Sequence, residues 1–334
     1  MLKALITGIN GQDGAYLCKL LLSKGYKVYG IGKSKASSIS RLKLLDLQDD
    51  PNLALVECDI SQYALIRQLL ADIEPDEIYN FAAYSFVADS HNNPLLLHMV
   101  TASTPIFFAE AIRDLGLESK FFQASSSEMF GDSYESPQNE KTLLQPRNAY
   151  GLAKSYAHQM LDTYRTLHQM FIVTGILYNH ESPLRDSRFV TRKITSTVAQ
   201  IAKGSQSILE IGNLDSIRDW GFAEEYVFGI WSAMQYKNCD QYVFATGIES
   251  SVRDFVTLSF SSVGIKIFWR GKGINEVGLD ENDNVLVRVN ENFYRQKEKT
   301  NLIGDSSKAR TQLGWRSTVT LKDLCKMMVD FDLN

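Results

Sequence analysis

Apolar positions along the chain follow two alternating rhythms. Short, nearly continuous apolar runs recur at Leu2–Thr7, Lys27–Ile31, Leu53–Val56, Glu77–Phe81, Lys120–Ala124 and Phe171–Leu177. Runs of this length, bounded by polar or glycine-rich segments, predict strands buried on both faces. Between them apolar residues return every three or four positions. Examples are Ala15, Leu17, Leu20, Leu21 and Leu22; Ile106, Phe107, Ala109 and Ile112; and Leu152, Ala153, Tyr156, Ala157, Met160, Leu161 and Tyr164. That spacing predicts helices. Strand and helix in alternation predict an α/β protein with a doubly wound parallel sheet. Beyond Leu177 the pattern predicts a helix burying Ile194, Val198 and Ile201, strands at Ile208–Ile211 and Tyr242–Ala245, and a helix capped by Ser251. The expected division is a domain over residues 1–178 and a smaller C-terminal α/β lobe over 179–334, some of whose segments return to the first domain.

Composition narrows the class without naming it. The 334 residues, 44% hydrophobic and 22% charged, are ordinary for a globular enzyme of about two domains. With 35 basic and 39 acidic side chains the formal charge is -4, which gives no reason to expect nucleic acid or an anionic membrane as partner. The first apolar run enters a glycine motif directly, and no uninterrupted apolar run reaches about eighteen residues, so a cytoplasmic protein is expected. Cys18, Cys58, Cys239 and Cys325 are scattered and follow no metal-ligand spacing, which predicts free thiols and no metal.

The chemistry gathers at the ends of the predicted strands. Gly8-Ile9-Asn10-Gly11-Gln12-Asp13-Gly14 joins the first strand to the first helix, the Rossmann-type arrangement in which backbone N–H groups and a helix N-terminus approach a pyrophosphate. Glycines at such a turn can also be purely steric. After the second strand come Lys33, Ser34 and Lys35, with Arg41 close behind and no carboxylate. Cations and hydroxyls there suit a 2′-phosphate and favour NADP over NAD, against the alternative of a solvated basic loop. Ala82 and Ala83 follow the fourth strand and let a cofactor approach the backbone closely. Ser125-Ser126-Ser127-Glu128 ends the fifth strand, and Tyr150 and Lys154 project from one face of the next helix. An ammonium beside a phenol favours its ionisation, so an activated Tyr, hydroxyls and a carboxylate could share one pocket.

Several segments carry a resemblance that is narrower than any single motif. The Gly-x-x-Gly-x-x-Gly turn and Gly304-Asp305-Ser306-Ser307-Lys308-Ala309 with Leu313-Gly314-Trp315 resemble the extended short-chain dehydrogenase/reductases. Tyr178-Asn179-His180-Glu181-Ser182-Pro183, Phe189-Val190-Thr191-Arg192-Lys193-Ile194 and Arg218-Asp219-Trp220-Gly221 closely resemble segments of GDP-mannose 4,6-dehydratases. The resemblance runs from Gly8 to Trp315. It implies that Asp59, beside Ile60, contacts adenine, although an N-cap role near Ser61 competes. It also implies that Ser85 lies near the sugar, and that Asn179, Thr191, Arg192, Lys193, Arg218 and Arg295 lie near substrate or diphosphate, with Glu298 near the nucleotide. Read without it, the 191–193 group is the solvated start of a helix and Arg218-Asp219 a surface ion pair.

The activity so implied is dehydration of GDP-mannose by an internal hydride cycle on NADP. Tyr150, assisted by Lys154, would take the C4 hydroxyl proton, Ser126 would bond the C4 oxygen, and Glu128 would take the C5 proton and help expel the C6 hydroxyl as water. A sibling nucleotide-sugar ketoreductase or epimerase, and a silent NADP-binding protein, are the competing readings. The sequence departs from the family at Ser126, usually Thr; at Tyr84, usually an amide; and at Gln296, usually Pro. Lys33-Ser34-Lys35 replaces a paired Arg in a loop that also serves tetramer contacts, so of the implied homo-oligomers a homodimer is favoured over a homotetramer.

Overall fold

All six apolar runs become strands within two residues of their predicted bounds, and a seventh joins them. In the computed structural model, which describes residues 1–34, 39–84, 93–294 and 300–334, they are β1 (Lys3–Thr7), β2 (Lys27–Gly32), β3 (Leu53–Glu57), β4 (Glu77–Asn80), β5 (Lys120–Ser126), β6 (Ile172–Leu177) and β7 (Gln241–Phe244). Lys35, Ser85, Arg295, Gln296 and Glu298 lie outside the described residues. The strands are parallel throughout, in the order β7-β6-β5-β4-β1-β2-β3. Chain direction across the sheet reverses between β1 and β4, and that crevice at the carboxyl ends is where open α/β sheets bind ligands.

A buried polar ladder ties the strands together at this switch point. Thr7 Oγ1 donates to Asn80 Oδ1, and Asn80 Nδ2 donates to Gln123 Oε1 at 2.7 Å, linking the ends of β1 and β4 to the middle of β5. Thr7 Oγ1 also accepts the Ala82 N–H at 3.1 Å, which fixes the backbone leaving β4. A polar side chain buried at a strand end needs such partners, so each one sets the position of the next.

Helices cover both faces. On one side α2 (Tyr63–Ile73), α3 (Thr104–Leu115) and α4 (Ala149–Leu167) bury Ile66, Leu70, Phe108, Ile112 and Leu161 against Leu5, Ile78 and Phe121. On the other, α1 (Gln12–Ser23) and α6 (Ala223–Gln235) pack together, with Leu17, Leu21, Tyr226 and Ile230 in the larger core. The chain ahead of α3 is helical from Pro94, with a π-helical segment His98–Ser103, which is longer than the apolar spacing predicted. Pro94–Leu115 is apolar and long enough to cross a membrane, yet 56% of its most apolar window is buried inside the fold. In α4 the buried face is Ala153, Ala157, Leu161 and Tyr164, whereas Leu152 and Tyr156, part of the same apolar spacing, are 58% and 47% exposed.

The second lobe is built from α5 (Val190–Ala202), α7 (Val252–Ser262) and α8 (Leu321–Leu333) around a small sheet of Phe268–Arg270, Val277–Leu279, Val285–Val289 and Leu209–Ile211. Ser251 caps α7 through a reciprocal capping box with Asp254. Both β7 and α6 belong to the main sheet's layers although they follow residue 179. Gly314, at φ +67°, ends the Ser307–Leu313 helix in the left-handed region, and Trp315 packs edge-on against Phe244 and Tyr226.

One turn sets the geometry at the carboxyl end of β1. Gly8 has φ +70°, and a Cβ on Gly14 would sit 2.4 Å from the Gly8 carbonyl oxygen. The helix α1 starts at Gln12, inside the motif, so Gln12, Asp13 and Gly14 are its first turn. Replacing Gly14 with Ala should therefore lower the urea midpoint, because a backbone clash costing about 1–3 kcal/mol exceeds any helix-propensity gain. An unchanged midpoint would mean the turn can relax.

Candidate active site

The strand β5 ends at Ser126 in extended backbone, and a single 3-10 turn, Ser127–Met129, swings Glu128 toward the start of α4. Ser126 Oγ accepts the Glu128 N–H at 3.3 Å. Asn148 is the N-cap of α4, its Oδ1 accepting the Gly151 N–H at 2.8 Å. The same side chain donates from Nδ2 to Glu128 Oε2 at 2.7 Å. Gly151 is needed here, since a Cβ would meet the Glu128 carbonyl at 2.5 Å. Four of the expected residues, Ser126, Glu128, Tyr150 and Lys154, thus come from one strand end and one helix start. Asn148 was not singled out from sequence; an Asn three residues before Gly151 at a helix start was the available signal.

Tyr150 and Lys154 are both buried, and burial moves both toward neutrality. The Tyr150 phenol is pushed up to about 12, first by burial, against a lowering hydrogen bond with Ser126 and with Glu128 adding to the rise. The Lys154 amine is pushed down to about 8 by burial, opposed by Asp13. Lys154 Nζ donates to the Ala124 carbonyl at 2.6 Å and lies 5.7 Å from the Tyr150 ring centre. The expected fall in the phenol's proton affinity is therefore absent: desolvation of a phenolate outweighs an ammonium held by a carbonyl.

On the cofactor side no side chain caps α1, whose N-cap is Gly11, so its first-turn N–H groups are left for an anion. The side chains of Gln12 and Asp13 turn away from that position. Gln12 Nε2 donates to the His180 carbonyl at 2.8 Å and Gln12 Oε1 accepts from Ser182 Oγ at 2.9 Å. Both Asp13 carboxylate oxygens lie 3.0 Å from His180 Nε2. Burial alone would raise the Asp13 carboxyl, but His180, with help from Arg185, holds it below its ordinary range. Burial would likewise lower His180, and Asp13 reverses that into a rise.

Arg41 is partnered within the protein and does not point freely at a phosphate. Its Nε donates to the Leu184 carbonyl at 2.6 Å and its Nη1 to the Asn10 carbonyl at 2.7 Å, with Asp186 at 3.6 Å. Asn10 Oδ1 accepts from the Arg41 N–H and from Ser40 Oγ, both at 3.0 Å. Lys33 is exposed and Ser34 half-buried at the end of β2. Asp59 accepts from the Ser61 N–H, Ser61 Oγ and Gln62 Nε2, and these bonds, Gln62 first, hold its carboxyl below the ordinary range. It closes a turn before α2 and is not its N-cap, which is Gln62. The Ile60 carbonyl accepts from Thr104 Oγ1 at 2.9 Å. Ala83 packs against the Tyr150, Ala153 and Leu97 cluster.

The expected diphosphate group divides. Asn179 is half-buried on the Asn179–Glu181 strand, paired with Trp220. Thr191 is buried, and its hydroxyl donates to Glu181 Oε2 at 2.7 Å, while Arg185 Nε lies 3.0 Å from the same oxygen. Arg192 leaves the group: it pairs with Asp332 of α8 and lies over the Phe331 ring, an ion pair without aligned hydrogen-bond geometry. Lys193 is half-buried, its Nζ 4.0 Å from the centre of the half-exposed Phe293 ring. Arg218 is half-buried and donates to the Ile217 carbonyl at 2.7 Å. Asp219 is fully buried, its carboxylate accepting from Thr246, Gly247 and Gly304, so it belongs to the core and not to a surface ion pair. Arg185, unassigned from sequence, lies close enough to influence both Tyr150 and Asp13.

The family model described as GDP-mannose 4,6 dehydratase matches residues 5–328. GDP-mannose 4,6 dehydratase 2 of Caenorhabditis elegans is 42% identical over 339 residues, covering 99% of this chain and 88% of that protein. GDP-mannose 4,6-dehydratase of Sinorhizobium fredii is 43% identical over 339 residues, covering 99% of this chain and 96% of its own. In fold, the chain is similar to dTDP-glucose 4,6-dehydratase from Bacillus anthracis in complex with NAD, with a TM-score of 0.81 at 18% identity, covering 99% of this chain and 96% of that one.

Two measurements follow from these environments. Arg192→Ala should lower stability by about 3 kcal/mol, because it leaves the Asp332 carboxylate buried and unpaired. A double-mutant cycle with Asp332→Asn should recover most of that loss; independent effects would dissolve the pair. For Lys154, a folded value of about 8 against an ordinary 10.5 means the unfolded chain binds more protons in that window, so stability rises with pH across it. In cofactor-free protein, urea unfolding of Lys154→Met should show that rise removed, and a parallel pH course would contradict it. Tyr150, being raised, contributes with the opposite sign only above its ordinary 10.

Proposed function

The chain belongs to the GDP-mannose 4,6-dehydratase family, and on that premise we propose that it converts GDP-D-mannose to GDP-4-keto-6-deoxy-D-mannose and water. The observation that carries the reading is Glu128, placed beside Ser126 and fastened to the start of the helix bearing Tyr150 and Lys154. A reductase needs the Tyr and the Lys but has no use for a carboxylate there.

The glycine turn and the uncapped α1 fit the pyrophosphate of a nicotinamide dinucleotide; at Gly8, φ +70°, a Cβ would lie 3.0 Å from the Ala82 nitrogen, so the glycine lets the turn pack against the backbone leaving β4. Lys33 and Ser34, with no carboxylate ending β2, favour NADP, and Lys35 would add to them. Arg41 then shapes the turn through Asn10. A nicotinamide held there would supply hydride acceptance at C4 and hydride return at C6, with no net consumption. Tyr150 takes the C4 hydroxyl proton, Ser126 bonds the C4 oxygen, and Lys154 holds positive charge near the phenol. The 4-ketone acidifies C5. Glu128 takes that proton and passes it to the departing C6 hydroxyl, and a proton delivered to C5 equals the one Tyr150 took.

Residues 179–334 mainly hold the nucleotide sugar in this reading. Lys193, Arg218 and Asn179 would hold substrate or diphosphate; the family resemblance assigns Ser85 to the sugar, Arg295 to phosphate and Glu298 to the nucleotide, all three outside the described residues. Thr191 acts through Glu181, and Arg192 through α8. A cytoplasmic homodimer is the assembly we favour.

Incubation of purified protein with GDP-mannose should give a product lighter by one water, with no net change in NADP reduction. Glu128→Gln should keep cofactor binding and lose at least about a hundredfold in turnover, in the range of general acid–base effects. Undiminished turnover would remove Glu128 from the reaction, and stoichiometric NADPH consumption on a keto-sugar would assign the chain to a reductase instead.

A further inference from the structure

We propose that Asn148 is a positioning residue for elimination, holding one oxygen of Glu128 so that the other carries the proton in both directions. The inference rests on the dehydratase reading above. Three features of the cap support it. Asn148 is used at both ends: Oδ1 accepts the Gly151 N–H at 2.8 Å and Nδ2 donates to Glu128 Oε2 at 2.7 Å. Reversing the amide would face a donor with a donor and an acceptor with a carboxylate, so its orientation is set by its partners. Among the described residues no donor reaches Oε1.

The chemistry gives that asymmetry a use. The C5–H bond breaks, its proton goes to Glu128 Oε1, and the electron pair stays on C5 conjugated with the 4-ketone. That pair then forms the C5–C6 double bond as the C6–O bond breaks, and the proton on Oε1 leaves with the hydroxyl as water. Atoms balance, and Glu128 returns to a carboxylate. With Oε2 engaged by the amide, the proton stays on the oxygen that faces both C5 and O6. A hydrogen bond to the charged form also favours the carboxylate that must begin the cycle.

Asn148 sits two residues before Tyr150, so one side chain caps the helix that presents the phenol and orients the carboxylate. This gives an experiment that separates the two jobs. Asn148→Asp keeps a capping oxygen but turns the donor facing Glu128 into a second carboxylate. Asn148→Ser keeps a capping hydroxyl that is too short to reach it. Both are good N-caps, so capping alone predicts parent-like behaviour in each.

With GDP-mannose at alkaline pH, where both carboxylates are ionised, Asn148→Asp should lower kcat about ten- to a hundredfold, the scale of one charge-assisted hydrogen bond. The KM should stay near the parent value. C4 oxidation should continue while elimination slows, so absorbance of the reduced nicotinamide should accumulate on the enzyme, and exchange of the C5 proton with deuterated water should slow. Asn148→Ser should shift the same readouts in the same direction to a smaller extent. Parent-like turnover in both variants without accumulation overturns the proposal, as does a loss confined to KM and melting temperature. Glu128→Gln run in parallel separates the two levels. If it turns over normally, the assignment of Glu128 fails and this inference with it. If it is inactive while Asn148→Asp is normal, only the role of Asn148 fails.

Discussion

A half-buried carboxylate in the first turn of α1 is the constraint on which the rest of this structure depends. Asp13 occupies the first turn of α1, where the helix dipole suits a negative charge but an incoming pyrophosphate does not. His180 resolves the conflict by closing on both carboxylate oxygens. Pairing them brings Asn179–Glu181 over the glycine turn, and Gln12 and Ser182 fasten it there. Tyr226 stacks on the imidazole from α6, and Arg41 ties the following loop back to Asn10. The second lobe is thus joined to the nucleotide edge by polar contacts that each require the next.

The same economy of charge governs the reactive residues. Burial raises the Tyr150 phenol and lowers the Lys154 amine, so the charged form of each is disfavoured in the ligand-free protein. Glu128 keeps its contacts at the pocket wall, with an amide donor on one side and a serine hydroxyl beneath its backbone N–H. A site built this way leaves the charge that drives chemistry to be supplied by what binds, which couples activation of the phenol to occupancy.

Local pattern made most of the architecture legible, since buried parallel strands write themselves as short apolar runs whatever lies beside them. It also placed Ser126, Glu128, Tyr150 and Lys154 together, because one strand end and one helix start hold all four. It misjudged α4, where Leu152 and Tyr156 continue the apolar spacing but face outward. Periodicity marks a stripe and not what covers it. It gave no sign that Arg192 pairs with Asp332, on a helix at the far end of the sequence, and it misread Asp219, whose buried carboxylate is satisfied by backbone N–H groups that leave no sequence trace. Asn148 was missed for another reason: an N-cap is common, and only geometry reveals that the cap's second hand reaches Glu128.

The strand β7 lies beside β6 after a long excursion through the second lobe. The chain leaves the sheet at Leu177, returns at Gln241 and leaves again after Phe244 to build α7, most of the small sheet and α8, so the second lobe is tied to the adjacent strands β6 and β7. Two neighbouring anchors in one rigid sheet leave little freedom for a clamshell motion of whole lobes. Admission of a bulky ligand to the crevice is then a task for its rim segments, while the floor that carries the reacting groups stays still.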